Sequence, residues 1–438
     1  MPENPTSLQR EAGSWPTHTL GDVAQWLSGG TPSKSNPGYW SGALPWASPK
    51  DMKVLHLGDT VDHITESAAI AGSRTVPSGA IFLVVRGMIL AHTFPVSLAT
   101  RRMAFNQDIK ALLPERTTDG PFLAHWFVGH AGRMLGLVTE STHGTKRIDL
   151  RDLVSYPIDL PPLPEQRRIT AILDTLDEAI RRTEQVIEKL KEVKRGLLHD
   201  LLTRGIDDNG ELRPPPDEAP HLYKDSPLGR IPKGWEAAQL GDVVTDHKAG
   251  VYKHRDLYGG GTNIVGVGDL FRHDTIHGQT FRLARLTPAE QRQFLLLAGD
   301  LVYAESSLVL DGIAKTIAVE PEGEGTAFAW HTRRLRPNPS RVDGEYLAQA
   351  LATTAVRRHV IQRATQTALT GIPVAEYLGT PVPIPTLAEQ HEMVVRLRNL
   401  EGRVDSEREA QKKLRTLKNG LADDLLTGHV RVATEEKQ

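Results

Sequence analysis

The chain has 438 residues and no cysteine, and its 52 Lys and Arg against 54 Asp and Glu leave a net charge of −2 at pH 7. This length exceeds one ordinary core and points to two or more domains of roughly 100–200 residues, and the lack of thiols excludes disulfides and thiolate metal sites. No run approaches the roughly 20 apolar residues of a membrane span, so a soluble, cytoplasmic protein with no membrane partner is expected, and without an overall basic excess any nucleic-acid surface must be local or shared with partners.

Taken in order, residues 1–13 are polar and Pro-bearing and read as a disordered leader, and MPENPTSLQREAGSW has neither the basic flank nor the apolar run of a secretory signal. A first domain spans 14–159. It opens on WPTHTLGDV (Trp15 to Val23), passes through the turn-rich GGTPSKSNPGYW, and holds two bounded apolar runs, Ala80 to Val85 and Asp108 to Leu113, that predict strands. Apolar residues at helical spacing from Pro121 to Val128 predict a helix near its end.

Residues 160–206 form a long element. Pro161, Pro162 and Pro164 end what precedes it, and Pro164 suits a helix start because its missing N–H would be unpaired there anyway. From Ile169 the positions Leu173, Leu176, Ile180, Thr183, Ile187, Leu190, Lys194, Leu197 and Leu201 alternate spacings of four and three, a coiled-coil seam. Forty residues of helix make a rod on the order of 60 Å. Residues 207–228 are rich in Pro, Gly and acids and read as a linker anchored, if at all, by Leu222 and Tyr223.

A second domain (229–383) repeats the order with WEAAQLGDV, the glycine-rich Gly259 to Thr262, strands at Asp300 to Ala304 and near Ile313 to Val319, and a helix at Tyr346 to Leu351. A second long element (384–430) and a tail (431–438) close the chain. Glu165-Gln166 falls on Glu389-Gln390, and Asp200 to Thr203 on Asp424 to Thr427, at one shift of 224 residues; Trp15 falls on Trp235 at 220. The chain is therefore a duplication of one domain plus one long helix. The connecting elements agree between the copies while the domain interiors hardly match. Lys194 and Lys418 occupy matching seam positions. Antiparallel pairing within the chain would bring the polar middles of the two helices together, and parallel pairing is also compatible with the pattern.

Catalytic signatures are missing: there is no Asn/Asp-Pro-Pro-aromatic loop for a flipped adenine, no phosphate loop, and no HExxH pair. Gly266-Val-Gly268 lacks the third glycine of a dinucleotide fingerprint, and Glu192-Val-Lys194 sits within the coiled coil. The 17 histidines show no ligand spacing, His125 reads as a packed helix residue, and no metal site is assigned. Loops with cationic and amide side chains are better candidates, since these donors reach phosphates and base edges. In the first domain they are Lys34, Ser35, Asn36, Arg86, Asn106, Gln107, Thr142, His143, Thr145, Lys146 and Arg147, the last five around Gly144. In the second they are Lys248, Lys253, His254, Arg255, Lys315, Arg333, Arg334, Gln366 and Thr370.

WPTHTLGDV, GGTPSKSNPGYW, AFNQDIKALLP, the twin LPPLPEQ and PTLAEQ junctions, YKDSPLGRIPKGW and the two DLLT helix ends occur in an order that resembles the specificity subunits of type I restriction-modification enzymes, from Trp15 nearly to the C-terminus. The resemblance implies an α+β fold with two globular mixed α/β target recognition domains joined by two long helices, which form an antiparallel coiled-coil spacer with pseudo-twofold symmetry. It implies a non-catalytic subunit that reads a bipartite double-stranded DNA site, one half per domain. It further implies two adenine-N6 methyltransferase subunits using S-adenosylmethionine and two ATP- and Mg-dependent restriction subunits as partners, with no cofactor in this chain. The second domain departs from the pattern, with TALTGIP where the first has THGTKRI. A rival of another class, a coiled-coil adaptor that binds proteins and no DNA, also accounts for paired helices and near-neutral charge.

Overall fold

The computed structural model describes residues 15–140, 144–366 and 370–433 and divides into two compact units, residues 1–185 with 408–438 and residues 186–407. The expected leader, and residues 434–438 of the expected tail, lie outside the described residues.

In the first unit β1 (Ala24–Ser28), β2 (His56–Leu57), β3 (Ile81–Val84), β4 (Val96–Ala99) and β5 (Ile109–Pro114) form a sheet in the order β1-β5-β3-β4-β2. Every pairing is antiparallel except that of β2 with β4. The central strand β3 is Ile-Phe-Leu-Val, all buried, because a strand covered on both faces reads as a continuous apolar run. A smaller sheet is made from Asp62–Ile64, Leu44–Ala47, Met103–Phe105 and Thr75–Val76. Helix α1 (Gly120–Gly129) begins at Asp119, whose carboxylate accepts the Phe122 N–H at 3.0 Å.

The second unit builds the same sheet from β6 (Val244–Ala249), β7 (Thr275–Ile276), β8 (Leu301–Ala304), β9 (Thr316–Val319) and β10 (Thr332–Pro337), in the order β6-β10-β8-β9-β7. The one parallel pair is again at the far edge. Two domains whose interiors share little sequence thus share one topology. Their helix, counterpart of α1, starts at Asp343, which caps Tyr346 at 2.9 Å.

The long elements are α2 (Leu163–Thr203) and, after α3 (Gly344–Leu351), α4 (Leu387–Leu426). Within the first unit Asp177 pairs with Lys418 at 2.5 Å, and Glu184 accepts from Gln411 at 3.0 Å and Arg415 at 2.7 Å. Within the second unit Lys194 pairs with Glu401, and the Ile206 N–H just beyond α2 bonds Glu389 near the start of α4. Numbers rise on one helix as they fall on the other, so the pairing is antiparallel in each unit, and both seam lysines are satisfied by an acid of the opposite helix. Ile169, Leu173, Ile180 and Leu425 are buried along the seam in the first unit, and Ile187, Leu397, Leu400 and Val404 in the second.

The repeated Glu-Gln pair is explained by what it holds. Gln166, fully buried, accepts the Asp119 N–H at 2.7 Å and donates to the carbonyls of Thr117 (2.9 Å) and Pro161 (2.8 Å). Gln390 does the same with Asp343 (2.8 Å), Arg341 (3.1 Å) and Pro385 (2.9 Å). One amide supplies an acceptor and two donors, so each glutamine fixes the start of a domain helix against the start of a long helix. Glu165 takes the Trp15 indole N–H (3.2 Å), both Arg431 donors (2.8 Å) and the Val432 N–H (3.1 Å). Glu389 takes the Trp235 indole (3.1 Å), Arg213 (2.5 Å) and the Ile206 N–H (2.8 Å). In both units, then, the tryptophan that opens the domain, the start of one long helix and the segment leaving the other meet on one carboxylate. Gly205, at φ +67°, closes α2 here; a Cβ at this position would lie 2.3 Å from Glu389 Oε1, so conformation and space both demand glycine.

The stretch read as a linker, with Leu222 and Tyr223 as its possible anchors, is more ordered than its composition indicates. Tyr223–Ser226 and Gly229–Pro232 form a hairpin, and the buried Tyr223 donates to the Pro214 carbonyl at 2.6 Å. Its order comes from contacts with the rest of its unit, Arg213 to Glu389 above all, which composition does not reveal.

Candidate nucleic-acid interface

In the first unit one rim of the main sheet is formed where β1 and β3 end and β5 begins. Gly29 directly follows β1, and a Cβ there would sit 2.3 Å from the Phe105 carbonyl, so glycine lets the departing chain run against residues 105–107. The Gly30 N–H bonds to that same carbonyl at 3.0 Å, and the Thr31 hydroxyl meets the Gln107 side chain. Beyond β3, the backbone of Arg86 bridges to that of Arg147, and the Gly87 N–H donates to the Lys146 carbonyl at 2.9 Å. The hairpin Val138–Glu140 with Lys146–Ile148 is thereby docked on the rim.

Of the residues chosen from sequence, Arg86, Gln107, Thr145, Lys146 and Arg147 converge here, with Arg86, Gln107 and Arg147 exposed. Lys146 is held by Glu140 at 2.6 Å. The loop carrying Lys34, Ser35 and Asn36 leaves the rim at Gly30; Lys34 is exposed, Ser35 bonds Ser33 at 2.7 Å, and Asn36 caps the turn Pro37–Trp40 through the Gly38 N–H. Asn106 is buried, its amide occupied by Asp108 at 3.1 and 3.2 Å, so it shapes the turn and presents nothing to solvent. Thr142 and His143 lie outside the described residues. Lys110, absent from the candidates above, also belongs to this rim: its ammonium reaches Ser28 at 2.5 Å, and burial first and neighbouring Arg86 second pull it below the usual lysine range. A lysine inside an otherwise apolar strand was its visible signal.

The second unit repeats the rim step for step. Gly250 directly follows β6, and a Cβ there would lie 2.1 Å from the Ala329 carbonyl. The Val251 N–H bonds to the Phe328 carbonyl at 2.9 Å, as Gly30 does to Phe105. Beyond β8, Ser306 and Ser307 pair with Gly371 and Thr370, as Arg86 pairs with Arg147. Thr370 is buried, and Gln366 pairs with it through its backbone.

The cations chosen from sequence fare differently in this rim. Lys253, with 5% of its side chain exposed, is fixed on Glu290 at 2.6 Å. Arg334 is buried, paired with Asp246 and lying over the Phe328 ring, because along β10 it faces away from Arg333. Arg333 is tied to Glu305 at 2.8 Å and to His247 at 3.3 Å. Lys315 faces Asp274 at 3.8 Å, Lys248 bonds Gln293 at 3.0 Å, and His254 meets Asp256 at 2.9 Å, while Arg255 is exposed. Lys253 and Arg334 are thus corrected from surface donors to internal ion pairs. Sequence spacing shows a cation but not the acid that folding sets against it.

Among the described residues one group combines acids with an imidazole, His125, Asp174 and Asp177 in the first unit. The buried His125 bonds Asp174 at 2.8 Å, and Asp177 is occupied by Lys418, so these side chains tie α1 and both long helices together. The His125 bond, followed by burial working the other way, leaves Asp174 below the usual carboxylate range.

No helix among the described residues is long and apolar enough to cross a membrane. Residues 13–192 match the family described as the type I restriction modification DNA specificity domain. The specificity subunit of the type I restriction enzyme EcoR124I/EcoR124II of Escherichia coli is 33% identical over 189 residues, covering 41% of this chain and 47% of that one. The MjaVIII specificity subunit of Methanocaldococcus jannaschii is 24% identical over 66% of this chain and 65% of its own. These matches span about half to two thirds of the relatives' length. The S subunit of the type I restriction-modification system of M. genitalium has the same fold, with a TM-score of 0.54 at 14% identity over 96% of this chain and 98% of that one. Residues 13–192 thus carry a type I specificity domain, and the chain, with two units that repeat one sheet, one rim and one Glu-Gln junction, is similar to type I restriction-modification specificity subunits.

Proposed function

We propose that this chain is the sequence-reading subunit of a type I restriction-modification complex, recognising a bipartite double-stranded DNA site with one rim per half-site. The observation that carries the reading is that one rim is built twice on one topology with different side chains, Thr31, Arg86, Gln107 and Arg147 in one and Tyr252, Ser306 and Trp330 in the other. A common scaffold with divergent exposed groups is what reading two unlike sequences requires, since base identity is read by side-chain donors, acceptors and apolar atoms in the major groove. The antiparallel helices would set the unread gap.

The chain itself is assigned no catalytic step. Its partners are two adenine methyltransferase subunits, which would carry S-adenosylmethionine, and two restriction subunits, which would use ATP and Mg; the site of action is the cytoplasm. Few rim cations are left unneutralised in the second unit, so the methyltransferase subunits would supply much of the phosphate affinity. Gel shift with and without co-expressed methyltransferase tests this. Tight, site-dependent binding with the partner and weak binding without it is expected, and no DNA binding in either state would refute the reading in favour of a protein-only adaptor.

A further inference from the structure

The second rim has an exposed face that its cations do not explain. Tyr252 is 63% exposed and Trp330 50% exposed, and their rings meet edge to face with centroids 4.8 Å apart. The Trp330 ring is also stacked on His331, interplanar angle 4°, and His331 holds a left-handed backbone at φ +69° that a non-glycine residue adopts only when its surroundings enforce it. The backbone is held too, the Trp330 main-chain N–H donating to the Val251 carbonyl at 2.9 Å. Two large rings are therefore held rigidly in water, where apolar surface is unfavourable unless something is to cover it.

Their position says what covers them. Gly29 and Gly250 each follow the first strand of their sheet, and the next residues, Gly30 and Val251, bond the carbonyls of Phe105 and Phe328. Thr31 is thereby the counterpart of Tyr252, and Gln107, two residues past Phe105, the counterpart of Trp330, two past Phe328. The Thr31 to Gln107 contact of the first rim is replaced in the second by the Tyr252 to Trp330 contact. The residues beyond β8 add to the same character, with Leu308 87% exposed. The first rim presents amide, hydroxyl and guanidinium there; the second presents rings and aliphatic carbon.

Resting on the reading of the rims as DNA-facing, we infer that Trp330 and Tyr252 are specificity-determining residues of the second domain and that they read thymine C5-methyl groups in the major groove. Among the base-pair edges in that groove, the thymine methyl is the apolar feature; all other distinguishing atoms are donors or acceptors that aromatic carbon cannot satisfy. A half-site selected for adenine methylation contains at least one A·T pair, and so at least one such methyl.

The experiment uses the full chain in complex with its methyltransferase subunits and duplexes carrying its motif, once that motif is known from the adenines the complex methylates. Thymines of the second half-site are replaced one at a time by deoxyuridine, which removes only the methyl. The wild-type complex is expected to lose about 4-fold in affinity at each contacted thymine, the ratio that corresponds to about 0.8 kcal/mol for one buried methyl. The double variant Trp330→Ala, Tyr252→Ala should bind more weakly, show no uracil penalty in the second half-site, and read the first half-site unchanged. Trp330→Phe, which keeps a ring, should retain a penalty and guards against misfolding. An unchanged penalty in the double variant, or none in the wild type, overturns the inference. So does loss of the methyltransferase from the double variant on size exclusion, which would make the surface a protein interface. If the wild-type complex methylates without any bipartite motif, the reading of the rims as DNA-facing falls, and this inference with it.

Discussion

Replacing Glu389 by alanine should destabilise the second unit by about 3 kcal/mol. Its carboxylate, 9% exposed, accepts from the Arg213 guanidinium, the Trp235 indole and the Ile206 N–H. Removing one partner of a buried ion pair costs about 3–5 kcal/mol, because the other charge is left unpaired. Arg213 keeps 18% of its side chain in water, which argues for the lower end of that range. Glu389→Gln keeps an oxygen for two of the three donors and gives up the charge, so about 1.5–2 kcal/mol is expected, the scale of a hydrogen bond to a charged group. Out of a typical stability of about 5–15 kcal/mol the alanine loss is large. Hydrogen exchange read by mass spectrometry on peptides covering 200–240 reports it locally, where two unlike units make a single melting curve hard to interpret. The alanine variant should exchange faster there by roughly two orders of magnitude while peptides from 15–160 stay unchanged. A difference below about 1 kcal/mol would refute the claim that this carboxylate ties the junction.

The matching junction gives a pH signature. Burial raises the Glu165 pKa, but Arg431, the Val432 N–H and Trp15 outweigh it and hold the carboxyl below its ordinary value. A depressed folded pKa contributes stability that is present above the unfolded value, about 4.3, and lost as pH falls through the folded one. Protection from hydrogen exchange in peptides around Trp15 and Glu165 should therefore fall below about pH 4.3, and Glu165→Gln should flatten that fall. Replacing Lys146 and Arg147 by alanine should impair methylation at the first half-site only and shallow the salt dependence of binding by about one to two units of slope, fewer if Glu140 already neutralises Lys146. Because the helices pair antiparallel in each unit, seven residues inserted in α2 alone should misalign Lys194 with Glu401 or Asp177 with Lys418 and destabilise the chain. Seven inserted in both helices, after Gln185 and before Arg408, should restore stability and lengthen the unread gap by about 3 base pairs, from 1.5 Å of rise per residue against 3.4 Å per base pair. Sequencing of methylated adenines measures that gap.

Much of this architecture was legible in the sequence because duplication allows the chain to be compared with itself. The heptads from Ile169 to Leu201, the strand at Ile81–Val84 and the glycine ends of the long helices follow from local pattern. Helix direction is not legible in the sequence, since the seam is compatible with either sense until Asp177 meets Lys418 and Glu184 meets Gln411. The rims were half legible. Arg86, Gln107 and Arg147 lie far apart in sequence and were chosen for chemistry alone, yet they converge where β3 ends and β5 begins. Lys253 and Arg334 were chosen on the same ground and are consumed by Glu290 and Asp246, at separations of 37 and 88 residues. Trp330 and Tyr252 do not stand out in the sequence, where an aromatic ring reads as core; only their exposure and their match to Gln107 and Thr31 distinguish them.

The central claim is that two unlike rims on one scaffold read the two halves of one site. Single-molecule sequencing of methylated adenines in a host carrying this chain with its methyltransferase tests it most directly. A motif of two short half-sites separated by a fixed run of unspecified bases is predicted, with Lys146→Ala, Arg147→Ala altering one half and leaving the other as it was. A single uninterrupted motif, or adenine methylation with no motif, would contradict the account.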